Sequence, residues 1–337
     1  MPEPRYSRLA RFAGLAGTLE RWQQASCAIV GLGGLGGGLA LQLARFGVRR
    51  LVLIDRDTVA AENLGHQALF TEAHAAQGLP KVRAAAEVLS AVNSGPQLTL
   101  HHADLTRRSA SELLSGSELL FDGLDNYYAR LLLNDWALSS GRPYFYAGVV
   151  RGELSARAIV PGETGCLRCL IDRPPPPGSV PTCAAEGVFP PLLGIANALQ
   201  LDLANRYLAG GPATADDVLY SLDLDGWRWR QTRLGGPRAD CPACRGRFEY
   251  LDGSLDALAG HSCAGQHAEA QLGAPVELAR TAARLTSSGL QVRRNAFCLV
   301  VEDGPRRFTV FPSGRITLSG DDDNGAISRF IAEYLGV

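Results

Sequence analysis

Six of the eight residues from Gly31 to Gly38 are glycine. They stand between a short apolar run, Ser26-Cys-Ala-Ile-Val-Gly31, and the helical pattern Leu39 to Phe46, so the segment reads as strand, glycine turn, helix. A second buried strand follows at Arg50-Leu-Val-Leu-Ile-Asp55, with a carboxylate at its C-terminal end. Together these form a βαβ unit, which places the chain in the α/β class with a doubly wound, Rossmann-like, mostly parallel sheet.

The alternation continues. The pattern predicts helix over 80–92, strand over 97–102, strand over 118–122, helix over 127–139 and strand over 143–149, then a strand from Arg151 to Val160. Four consecutive prolines, Pro174 to Pro177, cannot lie in a helix or central strand and predict an extended, exposed crossing loop. Beyond it come a helix from Leu192 to Ala209 and strands near 217–223 and 227–233. After Cys244 the pattern changes to strand (Phe248 to Leu251), helix (Pro275 to Thr286), three strands (Ala296 to Glu302, Arg307 to Phe311, Arg315 to Ser319) and a last helix, Asn324 to Tyr334. That stretch, 251–337, reads as a separate small α+β domain.

Composition excludes more than it selects. With 46% hydrophobic and 20% charged residues the chain is an ordinary globular one. A formal net charge of −1 gives no argument for nucleic acid or an acidic membrane surface. The start, MPEPRYSRLA, lacks the pattern of a signal peptide, and no run of about 18 apolar residues predicts a membrane span. The expectation is a cytoplasmic protein whose eight cysteines are reduced.

A glycine turn opening a helix offers backbone N–H groups and a positive dipole end to a phosphate. With Asp55 about 20 residues on, the same pattern also fits a nicotinamide enzyme whose carboxylate holds a ribose hydroxyl. Three further features favour a triphosphate. Asp55-Arg-Asp57 is followed by the polar cluster Glu62-Asn63-Leu-Gly-His66-Gln67 where the second strand leaves the sheet. Gly78-Leu-Pro-Lys81 starts a helix pointing toward the same edge; Lys81 is the only lysine in the chain, the other 32 basic residues being arginine. Lysine and arginine are not interchangeable where a compact ammonium must sit on a phosphate. Finally Asp122-Gly-Leu-Asp125-Asn126 closes the fourth strand with ligands suited to Mg²⁺.

The cysteines divide by spacing. Cys166-Leu-Arg-Cys169 and Cys241-Pro-Ala-Cys244 are two knuckles about 70 residues apart, a set suited to a closed, structural Zn²⁺ site that clips the crossing loop to the sheet domain. Cys183 stands alone beside the proline-rich loop and before the helix near Leu192, either a nucleophile or inert. Cys27 and Cys298 lie in apolar strands and read as core, while Cys263 has no assignment. His101 and His102, at a strand end, read as satisfied histidines.

Taken in order, these residues resemble the ThiF/MoeB-type adenylyltransferases, bacterial relatives of ubiquitin-activating enzymes. The match runs from about residue 5 to 250. It comprises Arg5-Tyr-Ser-Arg8, Gly31 to Gly36, Leu53-Ile-Asp55-x-Asp57, Glu62-Asn63-Leu-x-x-Gln67, Lys81, Asp125-Asn126 with Arg130, both C-x-x-C pairs, and Thr182-Cys183 leading to Glu186-Gly187. The C-terminal part, with Phe308-Thr-Val-Phe-Pro-Ser-Gly-Arg315 and Tyr334-Leu-Gly336, looks like the extension some bacterial members carry in place of a sulfurtransferase domain.

The resemblance implies an ATP-binding adenylation domain with a zinc site over residues 1–250. It implies adenylation of the C-terminal glycine of a small ubiquitin-like sulfur carrier with a Gly-Gly tail, giving acyl-adenylate and pyrophosphate, with ATP, Mg²⁺ and Zn²⁺ bound. Lys81 and Mg²⁺ on Asp125 then supply charge, Gly33 and Gly34 give room for phosphate, and Asp55 holds the ribose. Asn63 orients phosphate, with Asp57, His66, Gln67 and Asn126 lining the nucleotide. An N-terminal arginine of the family reaches the other subunit's ATP site; Arg8 holds that motif position, which implies a homodimer. Cys183 would take the carrier as a thioester or acyl-persulfide, with a sulfurtransferase or cysteine desulfurase as a further partner.

One departure is visible. The family usually has arginine where this chain has His66, and histidine is only partly charged near neutral pH. A phosphate contact there is weaker and pH-dependent unless a nearby arginine compensates. Two other classes stay open at this point: an NAD-dependent oxidoreductase with a structural zinc, and a non-catalytic module that only holds a ubiquitin-like partner.

Overall fold

The computed structural model describes residues 4–15, 17–175, 186–255, 268–272, 274–319 and 325–335. Its larger sheet contains eight strands in the order β3-β2-β1-β4-β5-β6-β7-β8. These are β1 (Ser26–Val30), β2 (Arg50–Asp55), β3 (Gln97–His102), β4 (Leu119–Asp122), β5 (Tyr144–Val150), β6 (Glu153–Ile159), β7 (Val218–Asp223) and β8 (Arg228–Arg233). The first five run parallel, and β6 to β8 are added antiparallel at one edge. Strand β1 is buried at every position, as a parallel strand covered on both faces must be.

The chain order reverses between β1 and β4, the place where open α/β sheets leave a crevice for ligands. The lips of the crevice touch through glycine. Gly31, with φ 85°, follows β1, and a Cβ built there would lie 2.5 Å from the carbonyl oxygen of Gly123, which follows β4. The helix Gly34–Phe46 starts at this point and packs on the helix Pro190–Gly210. From the latter, buried Gln200 donates through Nε2 to the carbonyls of Asp122 (3.0 Å) and Phe145 (2.8 Å), tying helix to sheet behind the crevice.

The C-terminal part forms a five-stranded antiparallel sheet in the order β10-β11-β12-β13-β9, from β9 (Ala268–Gln271), β10 (Gln291–Arg294), β11 (Leu299–Asp303), β12 (Arg306–Val310) and β13 (Arg315–Ser319). Its core includes Leu285, Val301, Phe308, Ile316 and Phe330, with the rings of Phe308 and Phe330 stacked at 4.0 Å. Three of these strands were expected; β9 and β10 were not. The expected strand at Phe248–Leu251 is instead a helical turn, Glu249–Asp252. Among the described residues no helix is long and apolar enough to cross a membrane.

Candidate active site

Lys81 opens the helix Lys81–Val92 and is 7% exposed. Its backbone N–H donates to the carbonyl of Asp57 at 2.9 Å, and its Nζ lies 3.5 Å from Asp57 Oδ2. Burial works against its ammonium, but Asp55, Asp57 and Asp125 outweigh that and hold Lys81 above the ordinary lysine value. Asp55 ends β2 and turns its two oxygens to backbone N–H groups, those of Leu32 and Asp57, each at 2.7 Å. Burial pushes the Asp55 carboxyl up, against the pull of Lys81 and those two donors. Asp57 behaves in the opposite way: despite burial, Lys81, Arg315 and Arg56 hold it far below the usual carboxylate range.

Lys81 and Asp57 line a cleft of about 810 Å³, within the range of small-molecule sites, with Asp55 buried beside them. One wall carries Asn63, His66 and Asp125; the other comes from the five-stranded sheet and carries Arg293, Arg307 and Arg315. Asn63 accepts the backbone N–H of Ala60 at 3.0 Å, which closes the short helical turn Ala61–Asn63. His66 lies 3.3 Å from the amide of Gln67, and burial, then Lys81, push its imidazole below the ordinary histidine value. Gln67 is buried, with Oε1 unpaired. Gly33 caps the helix Gly34–Phe46, and side-chain growth at Gly34 would meet Leu193 at 2.7 Å.

The residues after β4 divide by role. Asp125 lines the cleft. Asp122 is fully buried and committed to Arg130 (3.2 Å), Tyr144 and the N–H of Leu124 (2.8 Å). Asn126 caps the helix Tyr127–Ser140, accepting the N–H of Ala129 at 2.8 Å. A glycine turn, a buried lysine among carboxylates and a carboxylate facing them suit a magnesium nucleotide.

A family model described as the ThiF family matches residues 6–243. The chain belongs to the ThiF family. It therefore stands among adenylyltransferases, and the hydride-transfer alternative is set aside. It is 29% identical over 337 residues, 98% of this chain and 99% of the relative, to the sulfur carrier protein ThiS adenylyltransferase of Bacillus subtilis (strain 168). It is 34% identical to a sulfur carrier protein adenylyltransferase of Thermus thermophilus, covering 67% of this chain and 84% of that protein. It is 37% identical to the adenylyltransferase and sulfurtransferase MOCS3 of Mus musculus, covering 71% of this chain and about half, 52%, of that protein. Among solved structures, E. coli MccB with ATP shares the fold, with a TM-score of 0.61 at 22% identity over 72% of this chain and 74% of that one.

In this ThiF-family chain the two cysteine knuckles converge. The sulfurs of Cys166, Cys169, Cys241 and Cys244 lie within 4.8 Å of one another, with near pairs at 3.5, 3.6 and 3.9 Å. Zinc–sulfur bonds of about 2.3 Å in a tetrahedron put sulfurs about 3.8 Å apart, so the donor set fits a structural Zn²⁺. The knuckles are anchored on the helix Tyr127–Ser140: Asn134 accepts the N–H of Leu167 at 2.8 Å and Asp135 that of Tyr250 at 3.0 Å.

Other expected residues lie elsewhere. Arg8 is exposed on the short helix Ser7–Arg11 and does not line this chain's own cleft. Cys183, with Cys263 and Gly336, lies outside the described residues. Cys27 and Cys298 are core, as expected, and His102 is satisfied by the carbonyl of Arg56 at 2.9 Å. The arginines of the five-stranded sheet were missed as site residues; Arg315 enters the sequence reading only as the last residue of the stretch Phe308 to Arg315, and nothing there ties it to Asp57.

Proposed function

We propose that this enzyme uses ATP to adenylate the C-terminal glycine carboxylate of a small ubiquitin-like sulfur carrier, releasing pyrophosphate. The carboxylate oxygen attacks the α-phosphorus, and the bond to the pyrophosphate breaks. A carboxylate is ionised at pH 7, so the step needs positioning and charge neutralisation rather than a general base. The observation that carries the reading is Lys81, a buried lysine whose ammonium lies 3.5 Å from Asp57 in a cleft lined by residues that follow β2 and β4. The two bacterial relatives named as adenylyltransferases of sulfur carriers support the same substrate class.

In this reading Asp55 and Asp57 border the ribose end, while Asn63, His66 and Gln67 border the phosphates with the N-terminus of the helix Gly34–Phe46. Asp125 would hold Mg²⁺, which supplies further positive charge at the phosphates when bound. The exposed Arg8 would serve the cleft of a second copy in a homodimer. Cys183 would then receive the carrier as a thioester, its thiolate displacing AMP, with sulfur brought by a sulfurtransferase or cysteine desulfurase. The residues 251–337 would form a small domain whose sheet closes the cleft. ATP–pyrophosphate exchange with and without a carrier ending in Gly-Gly tests the reading. Exchange that appears only with the intact tail is expected; exchange that ignores the carrier overturns it.

A further inference from the structure

The five-stranded sheet grips both segments that present Lys81. At the end of β2, Arg315 donates through Nη2 to Asp57 Oδ1 at 2.8 Å and through Nη1 to the carbonyl of Arg56 at 3.1 Å. On the turn before the lysine, Asn295 donates through Nδ2 to the carbonyls of Gln77 (3.0 Å) and Gly78 (3.1 Å). Arg293 donates to the carbonyl of Ala76 at 3.1 Å. The two gripped segments are themselves stitched together, by the Lys81 N–H on Asp57 and by a bridge between Thr58 and Pro80. Arg315 is 5% exposed, with its guanidinium 4.5 Å from the ring centre of Phe311. It is a fixed group, not a surface arginine that happens to reach an acid.

The Asp57 carboxylate is shared: Arg315 holds Oδ1 while Lys81 faces Oδ2 at 3.5 Å. An ammonium committed to carboxylates is a poor ligand for phosphate, because the phosphate must compete with a charge already paired. A guanidinium on the other oxygen takes up part of that carboxylate's charge. The contact to Asp57 therefore bears on how readily Lys81 turns to a nucleotide.

We propose that Arg315 is a positioning residue of the nucleotide site, holding Asp57 so that Lys81 is available to the ATP phosphates, and that the five-stranded sheet is thereby a working part of that site. The inference rests on the adenylation reading. It assigns to the C-terminal sheet a role in the nucleotide step itself.

The test uses the full chain with Arg315→Ala, Arg315→Gln, Arg315→Lys, Asp57→Asn and the Arg315→Ala/Asp57→Asn pair. Mg·ATP binding is measured by calorimetry, and the KM values for ATP and carrier by pyrophosphate exchange, with melting temperatures alongside. Arg315→Ala should weaken Mg·ATP binding and raise the KM for ATP by about tenfold, the size of one lost charge-assisted contact. The carrier KM should stay as it is, and Arg315→Lys should recover most of the loss. Because both residues act through one carboxylate, the double variant should bind Mg·ATP no worse than the weaker single variant. Wild-type Mg·ATP binding in Arg315→Ala, or effects of the two substitutions that simply add, overturns the proposal. If Arg315→Ala does not fold, Arg315→Gln, which keeps donors without charge, is read in its place under the same outcomes. Absence of carrier-dependent exchange in the wild type would fall on the adenylation reading instead, and the Mg·ATP titration would still judge Arg315.

Discussion

A Cβ on Gly36 would collide with the carbonyl oxygen of Gly31. The obstacle is backbone, and that backbone is held by the N–H of Gly31 on the carbonyl of Ile54 at 2.8 Å and by the packed glycine after β4. Nothing there can yield cheaply. Gly36→Ala is expected to cost about 2–4 kcal/mol, at the upper end of overpacking effects. Gly194, in the exposed face of the helix Pro190–Gly210, has nothing within 4 Å of its Cβ position. Gly194→Ala should therefore stabilise by about 0.5–1 kcal/mol. Denaturant titrations of both variants check the pair; equal effects would mean that the close approach at the crevice is absent.

Lys81→Arg keeps charge at the site and tests geometry alone. The longer planar fork cannot occupy the place of a compact ammonium among Asp55, Asp57 and Asp125. Pyrophosphate exchange should fall by roughly 100-fold or more, the scale of losing one preorganised charge donor. The melting temperature should change far less than in Gly36→Ala. Near-wild-type exchange would remove Lys81 from the phosphates.

The parts legible in the sequence were those whose burial or backbone needs are local. Strands β1 and β2 are continuous apolar runs, and the glycine turn between β1 and its helix announces itself by composition. The helix Tyr127–Ser140 was bounded within a residue because Asn126 caps it and Gly141 ends it in a left-handed turn. What failed depends on distant partners. Glu249–Asp252 is helical where Tyr250 reaches Asp135 from 115 positions away. Strand β10 has no apolar alternation and exists by pairing with β11. Within the site, Asp55, Lys81 and Asp125 were legible from their positions at strand and helix ends. Arg315 acts across 258 positions, and its chemistry appears only when the two sheets meet.

Asn126 and Asp125 are neighbours with separable duties. Asn126 spends its Oδ1 on the helix cap, so Asn126→Ala should cost about 1 kcal/mol of stability, as lost caps do. Asn126→Asp keeps an acceptor oxygen and should restore most of it. Asp125→Asn should leave stability nearly unchanged while weakening magnesium-dependent nucleotide binding. Chemical denaturation and Mg·ATP calorimetry on the three variants separate the roles; a stable Asn126→Ala with lost nucleotide binding would reverse them.

Four sulfurs within 4.8 Å of one another, with three pairs at 3.5–3.9 Å, predict about one zinc per chain by elemental analysis. The clip joins residues 166–169 to 241–244 and both to the helix Tyr127–Ser140, so its loss frees two segments at once. Cys241→Ser, or exhaustive chelation, should destabilise by about 2–5 kcal/mol and lower the melting temperature by roughly 5–15 °C. Metal loss with an unchanged melting curve would deny the clip its structural role.

His66 predicts opposite trends in stability and nucleotide affinity with pH. Its folded pKa lies below its unfolded value of about 6.5, through burial and then Lys81. As pH falls, the unfolded chain takes the proton first, so the contribution of His66 to stability is complete above about pH 6.5 and is lost as the pH drops below it. Binding of the magnesium nucleotide should move the other way, because a protonated imidazole beside the phosphates adds attraction. Between pH 7.5 and pH 5.5, wild type should lose more stability than His66→Gln while its KM for ATP falls relative to that variant. His66→Arg, with a permanent charge, should show the lower KM across the whole range and no slope from this position. Parallel pH profiles for wild type and His66→Gln in both readouts would place His66 away from the phosphates.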